Sequence, residues 1–192
     1  MNEKTRIRNE MKSELARISP QQAAEAASAA CELLCEQREF NDARSVMIFL
    51  PVLGEIDARG IARAAWAKGK RVAVPKVRAP GLMDAVEIHS LNDGLAPGVM
   101  NIIEPVDNVI MGSDELDLIV AAALAFDRNG NRLGRGGGYY DRFINRCSGA
   151  LVCGLAFDVQ LLDQVPAEPH DEPVNMLVTN KEFLRFARNS NR

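Results

Sequence analysis

Residues 126–141 read Phe-Asp-Arg-Asn-Gly-Asn-Arg-Leu-Gly-Arg-Gly-Gly-Gly-Tyr-Tyr-Asp. Gly134, Gly136, Gly137 and Gly138 free the backbone to take positive φ and let a ligand approach closely. Backbone N–H groups at a following helix start point outward and favour an anion. Arg132 and Arg135 add permanently charged forks that match phosphate oxygens in pairs. Asp141 follows after a short turn, where it can hold a metal ion that bridges phosphates. Glycines, cations and a carboxylate in this order suggest a magnesium–nucleotide site. It is not a Walker loop, because no Gly-Lys-Ser/Thr ending occurs. It is not the dinucleotide fingerprint G-x-G-x-x-G either, because Tyr139 stands where the third glycine would be.

An α/β scaffold is expected to position this segment. Ile7, Met11, Leu15 and Ile18 form one stripe of a charged helix over residues 3–17. Lys4 and Arg8 lie on one face of it, four residues apart. Ser19, Pro20 and Gln22 make a capping box for a second helix running to about Phe40. Residues 45–50 (Ser-Val-Met-Ile-Phe-Leu) form an apolar run of strand length. Asp57 caps a helix through Trp66 and Ala67, and Gly69 ends it. Further strands are expected at 72–74, 86–89, 117–122, 151–155 and 174–179, and a last helix at 181–188. The stretch 79–109 is rich in Gly, Pro, Asn and Asp and reads as an irregular excursion of the same domain. Strands that are apolar on both faces and alternate with helices imply a mainly parallel sheet covered on both sides. Ligands of such sheets sit beyond the strands' carboxyl ends. Loops 51–56, 127–138 and 156–160 leave those ends.

The 192 residues suit one domain, residues 1–192, with a sizeable core. The net charge of −3, with both signs interspersed, disfavours a nucleic-acid partner. The longest apolar run, residues 118–126, is too short to span a bilayer. The N-terminus is polar and lacks the apolar stretch of a signal peptide, so a cytoplasmic location is expected. Cys31, Cys35, Cys147 and Cys153 lack the tight clustering of a zinc site and read as buried free thiols.

Residues 124–142, Leu-Ala-Phe-Asp-Arg-Asn-Gly-Asn-Arg-Leu-Gly-Arg-Gly-Gly-Gly-Tyr-Tyr-Asp-Arg, resemble the signature of the 5-formyltetrahydrofolate cyclo-ligase family, also called methenyltetrahydrofolate synthetase. Residues 4–8 resemble the family's basic N-terminal helix, 50–57 (Leu-Pro-Val-Leu-Gly-Glu-Ile-Asp) its substrate loop, and 98–105 its Gly…Glu-Pro segment. Gln160 and residues 166–171 (Pro-Ala-Glu-Pro-His-Asp) resemble its C-terminal block. The resemblance covers nearly the whole chain. Ala121 and Ala122 depart from a common Val-Pro, and Asn175 from a common aspartate.

The resemblance implies a three-layer α/β/α sandwich. It also implies ATP-dependent cyclisation of 5-formyltetrahydrofolate to 5,10-methenyltetrahydrofolate, with release of ADP and phosphate. The formyl oxygen is phosphorylated, N10 attacks the activated carbon, and phosphate departs. ATP would lie against Lys4, Arg8, Arg132, Leu133, Gly134, Arg135, Gly136, Gly137, Gly138, Tyr139 and Tyr140. Leu50, Glu55, Arg135, Gly136, Gly137, Gly138 and Tyr139 would meet the folate, and Asp141 and Asp171 would serve Mg2+. Arg135, with Arg132, would stabilise charge during transfer. Tyr139 and Tyr140 either pack on the folate rings or anchor the helix in the core. His170 carries no catalytic role in this reading, and Trp66, Met47 and Met83 read as core or pocket lining. A phosphosugar isomerase would also bind phosphate at such a loop but would release none from ATP. A folate- or nucleotide-sequestering protein would bind without turnover.

Overall fold

The computed structural model describes residues 2–98 and 102–186. Helix α1 (Glu3–Leu15) begins at Asn2, whose side chain accepts from Thr5 N, and it buries Ile7, Met11 and Leu15. Helix α2 (Pro20–Cys35) begins at the expected capping box, with Ser19 and Gln22 exchanging side-chain bonds. It stops short of Phe40. The chain breaks at Glu36 and restarts as α3 (Arg38–Asp42), which turns Phe40 fully into the core.

Strand β1 (Ser45–Met47) follows, then α4 (Arg59–Ala67), β2 (Arg71–Ala79), β3 (Leu82–Ile88), β4 (Leu95–Pro97), β5 (Ile103–Pro105) and β6 (Ile110–Met111). Next come β7 (Leu118–Ala121), β8 (Ala125–Asp127), β9 (Arg132–Leu133) and α5 (Tyr139–Arg146). The chain closes with β10 (Leu151–Leu155), β11 (Leu161–Leu162), β12 (Met176–Val178) and β13 (Phe183–Arg185).

Eight of these strands form one sheet in the order β13-β12-β10-β7-β1-β2-β3-β6. The five central strands, β12 to β2, pair in parallel, and antiparallel strands close both edges. Strand alternation divides the core. Val46, Leu118, Val120 and Cys153 point to the side of α1, α2 and α4, while Met47, Ile119 and Val152 point to the side of α5. Helices therefore cover both faces, which gives the expected α/β/α layering around a mainly parallel sheet.

Several boundaries differ from expectation. Residues 48–50 are buried but belong to no strand: Ile48 N still donates to Ala73 O at 2.9 Å, and Phe49 and Leu50 line the cleft. The segment 127–138 is more than a loop. Strands β8 and β9 form a hairpin that joins β11 in a small separate sheet. The excursion 79–109 holds the β2–β3 hairpin and the β4–β5 pair, while residues 99–101 lie outside the described residues. Within the helix expected at 181–188, Phe183–Arg185 form strand β13 instead, antiparallel to β12. Thr179 Oγ1 accepts from Lys181 N and Glu182 N, each at 3.1 Å, and this turn reverses the chain. Phe183 and Leu184 then pack in different core clusters on opposite faces, which a strand allows. Residues 187–192, the end of the basic tail, lie outside the described residues.

Candidate functional site

The glycine segment is held at both ends. At its start the Asp127 carboxylate, fully buried, accepts from Asn129 N, Asn131 N, Asn131 Nδ2 and Val165 N at 2.9–3.0 Å. This network sets the β8–β9 turn, where Gly130 takes φ +85°. At its end Gly138, with φ +64°, precedes the first turn of α5. Between them Arg8 Nε donates to Gly134 O (2.9 Å) and Arg142 Nη2 donates to Gly137 O (2.7 Å). Both carbonyls are thereby turned toward guanidinium groups. Among the described residues, no backbone N–H from residue 134 to 138 finds a protein acceptor. The loop presents a run of donors, as an anion-binding nest does.

An open cleft of about 930 Å³ is lined by the loop that carries these donors. It takes Lys4 and Arg8 from α1, Leu50 and Glu55 from the first loop, and every residue from Arg132 to Asp141. Asp171 completes the set of residues expected to meet ATP, folate or Mg2+, all of which line this one cleft. Residues 167 positions apart meet in it. Lys4 Nζ lies 2.7 Å from Asp171 Oδ2 and 3.1 Å from Glu168 Oε1. The Lys4 pair keeps the Asp171 carboxyl below the usual carboxylate range despite its partial burial.

Arg132 is almost wholly buried, at 6% exposure, and donates from Nη2 to Asp141 Oδ1 at 2.6 Å. Glu172 N donates to the same oxygen at 3.0 Å. Desolvation lowers the Arg132 pKa, opposed first by Asp141. Its Nε is buried without a partner, and its guanidinium lies 5.7 Å from the Tyr140 ring centre. Burial pushes the Tyr140 hydroxyl well above its ordinary pKa, and it makes no hydrogen bond of standard geometry. Tyr139 and Tyr140 line the cleft and also pack against the core beneath it.

Across the cleft, Arg135 Nε donates to Glu55 Oε1 at 3.2 Å, and Val52 N donates to Glu55 Oε2 at 3.1 Å. Burial raises the Glu55 pKa, against these two contacts. Arg135 thus joins the glycine loop to the loop that carries Glu55.

Met83 lines the cleft and is buried, whereas Met47 and Trp66 belong to the core away from it. His170 is exposed at the rim beside Glu168 and Asp171. Gln160 is structural: its side chain bridges Phe157 N and the carbonyls of Ala123 and Leu124. Asn175 Oδ1 accepts from Val152 N at 2.8 Å, so this departure serves the sheet; Ala122 lines the cleft. Sequence reading did not single out Arg142, Glu168 or Glu172. Arg142 lies just past the glycines, but its second partner, Gly81 O at 2.8 Å, comes from the distant β2–β3 turn. No sequence spacing signals the other two.

The 5-formyltetrahydrofolate cyclo-ligase family model matches residues 1–180. A 5-formyltetrahydrofolate cyclo-ligase from Escherichia coli K12 is 30% identical over 168 residues, 84% of this chain and 92% of its own. One from Mus musculus is 28% identical over 181 residues, 88% of this chain and 89% of its own. The solution structure of the 5,10-methenyltetrahydrofolate synthetase of Aquifex aeolicus matches with a TM-score of 0.84 at 28% identity, covering 98% of this chain and 99% of that one. The extent of these matches, over a chain whose signature residues gather in one cleft, makes it a member of the 5-formyltetrahydrofolate cyclo-ligase family.

Proposed function

We propose that the protein catalyses the ATP- and Mg2+-dependent cyclisation of 5-formyltetrahydrofolate to 5,10-methenyltetrahydrofolate, releasing ADP and phosphate. The run of N–H groups at residues 134–138 that have no protein acceptor among the described residues, in a loop lining one cleft with Glu55, carries this reading. The formyl oxygen is a poor leaving group, because resonance with N5 keeps its carbon unreactive. Its attack on the γ-phosphorus releases ADP and turns it into a phosphate ester. N10 then bonds to the formyl carbon and gives up its proton, the C–O bond breaks, and phosphate leaves.

Phosphoryl transfer needs positioning and charge neutralisation more than an amino-acid nucleophile. Lys4, Arg8 and Arg132 supply positive charge around the triphosphate, and residues 133–140 cradle it. Arg135 is the charge-stabilising group of the transfer, lying where the nucleotide and folate ends meet. Leu50 and Glu55 hold the folate, with Glu55 accepting from pterin N–H groups.

Among the described residues no group of three His, Cys, Asp or Glu could hold a metal ion. Magnesium that arrives with a nucleotide needs only one or two carboxylates, the rest of its shell coming from phosphates and water. Asp141 and Asp171 fit that requirement: each engages its cation and a backbone N–H through a single oxygen. Bound there, the ion would neutralise charge on the phosphate oxygens.

We place the enzyme in the cytoplasm. Its four cysteines are free, and burial pushes Cys31 up to about 12 and Cys35 and Cys147 to about 11, which makes them poor nucleophiles. No described helix is long and apolar enough to cross a membrane.

Mixing the protein with 5-formyltetrahydrofolate, Mg2+ and ATP should produce the methenyl chromophore, with one phosphate released per product and nothing formed without ATP. Folate binding without a chromophore would leave a sequestering protein instead.

A further inference from the structure

We propose that Glu104 is a specificity-determining residue, a second carboxylate that reads the 2-amino and N3–H edge of the pteridine. The proposal deepens the cyclo-ligase reading and rests on it. Glu104 lies on β5 and lines the same cleft as Glu55 and the glycine loop. It is buried, at 7% exposure, within an apolar wall made by Pro75, Val77, Met83 and Ile102. A buried carboxylate is costly unless it is paired or hydrogen-bonded. Among the described residues it accepts one hydrogen bond, from Val77 N to Oε1 at 3.2 Å.

A second feature shows that room is kept for this group. Gly98 N donates to Ile102 O at 2.7 Å, beside β5. A Cβ at Gly98 would overlap the Glu104 carboxylate. Glycine at 98 therefore lets Oε2 lie where it does.

The two cleft carboxylates differ in their commitments. Both Glu55 oxygens already accept one hydrogen bond, from Arg135 and from Val52 N, which leaves one lone pair on each for other pterin N–H groups. Among the described residues Glu104 Oε2 has no hydrogen-bond partner, and it lines the far wall with apolar side chains that suit a flat bicyclic ring. A 2-amino-4-oxopteridine presents two adjacent N–H donors on one edge; Oε2 accepts one of them, and Oε1 accepts the other on the lone pair that Val77 N leaves.

The test compares wild type, Glu104→Gln and Gly98→Ala, using 5-formyltetrahydrofolate and its 2-desamino-2-methyl analogue. Turnover and calorimetric binding are both read, and melting temperature monitors the fold. Glutamine keeps an oxygen for Val77 N but loses the charge. Gly98→Ala moves the carboxylate while the far end of the Glu104 side chain yields. Wild type should prefer the amino substrate over the analogue by at least about tenfold, the scale of a charged hydrogen bond. Glu104→Gln should weaken folate binding and raise its KM by about tenfold, leave the ATP KM unchanged, and erase most of that preference. Gly98→Ala should shift both in the same direction with its melting temperature retained. Wild-type affinity and undiminished preference in Glu104→Gln would overturn the proposal and leave Glu104 as a support for Val77. Wild type that binds folate without cyclising it would sink the cyclo-ligase reading alone, and Glu104 would still be judged on its affinities.

Discussion

Arg135 and Glu55 show at residue scale how the cleft joins its two ends. Arg135 touches Glu55 and the Leu53 carbonyl, while its own backbone belongs to the nest of N–H donors. Arg135→Ala should therefore lower kcat on the order of a hundredfold, as loss of a group aimed at transition-state charge does. Wild-type turnover in that variant would remove Arg135 from the transfer step. Glu55 makes a separate prediction through its pKa, which burial raises above the usual carboxylate range. A folded pKa above the unfolded one contributes stability that is full below the unfolded value and is lost as pH rises through the folded value. The melting temperature of Glu55→Gln should thus rise relative to wild type as pH climbs above the ordinary glutamate value of about 4.3. A difference that stays constant above that value would contradict the burial argument. The glycine loop and its two arginines were legible in the sequence because they are contiguous. The Lys4–Asp171 contact was not, since the two residues are 167 positions apart and only the docking of α1 brings them together.

Elements were read well where their signals were local, and less well where tertiary pairing decided. The capping box of α2 and the buried runs of β7 and β10 were plain in the sequence. The stretch from Lys181 has helical spacing of its apolar residues, yet the Thr179 turn and pairing with β12 make it a strand. Its apolar residues are few enough to suit either period, and the partner strand settles which one wins. The hairpin β8–β9 had a local signal, Asn129-Gly130, but its strands are only three and two residues long and Asp127 organises the turn between them. Close packing also explains Gly154, in the middle of β10. A Cβ there would lie 2.5 Å from the Phe126 ring and 2.9 Å from Leu177. Gly154→Ala should destabilise the protein by about 1–3 kcal/mol, the scale of core overpacking. Denaturant unfolding reads this directly, and an unchanged midpoint would show that Phe126 can move aside at no cost.

Over the whole molecule, the fold class was legible because every central strand is apolar on both faces. The cleft was only partly so. Its glycine-loop side is written in one segment, whereas its far wall is assembled from β2, β3 and β5 with no motif of their own. We propose that residues 1–192 act as a single cyclo-ligase domain. In support, one sheet runs from β6 to β13, and the cleft draws on residues from both ends of the described chain. The central claim is that the glycine loop places the γ-phosphate against the formyl oxygen. Substrate labelled with oxygen-18 in the formyl group tests it most directly, by mass spectrometry of the released phosphate. Label in the phosphate, one atom for each methenyl product, is the predicted result. Methenyl product with unlabelled phosphate and label in water would contradict it.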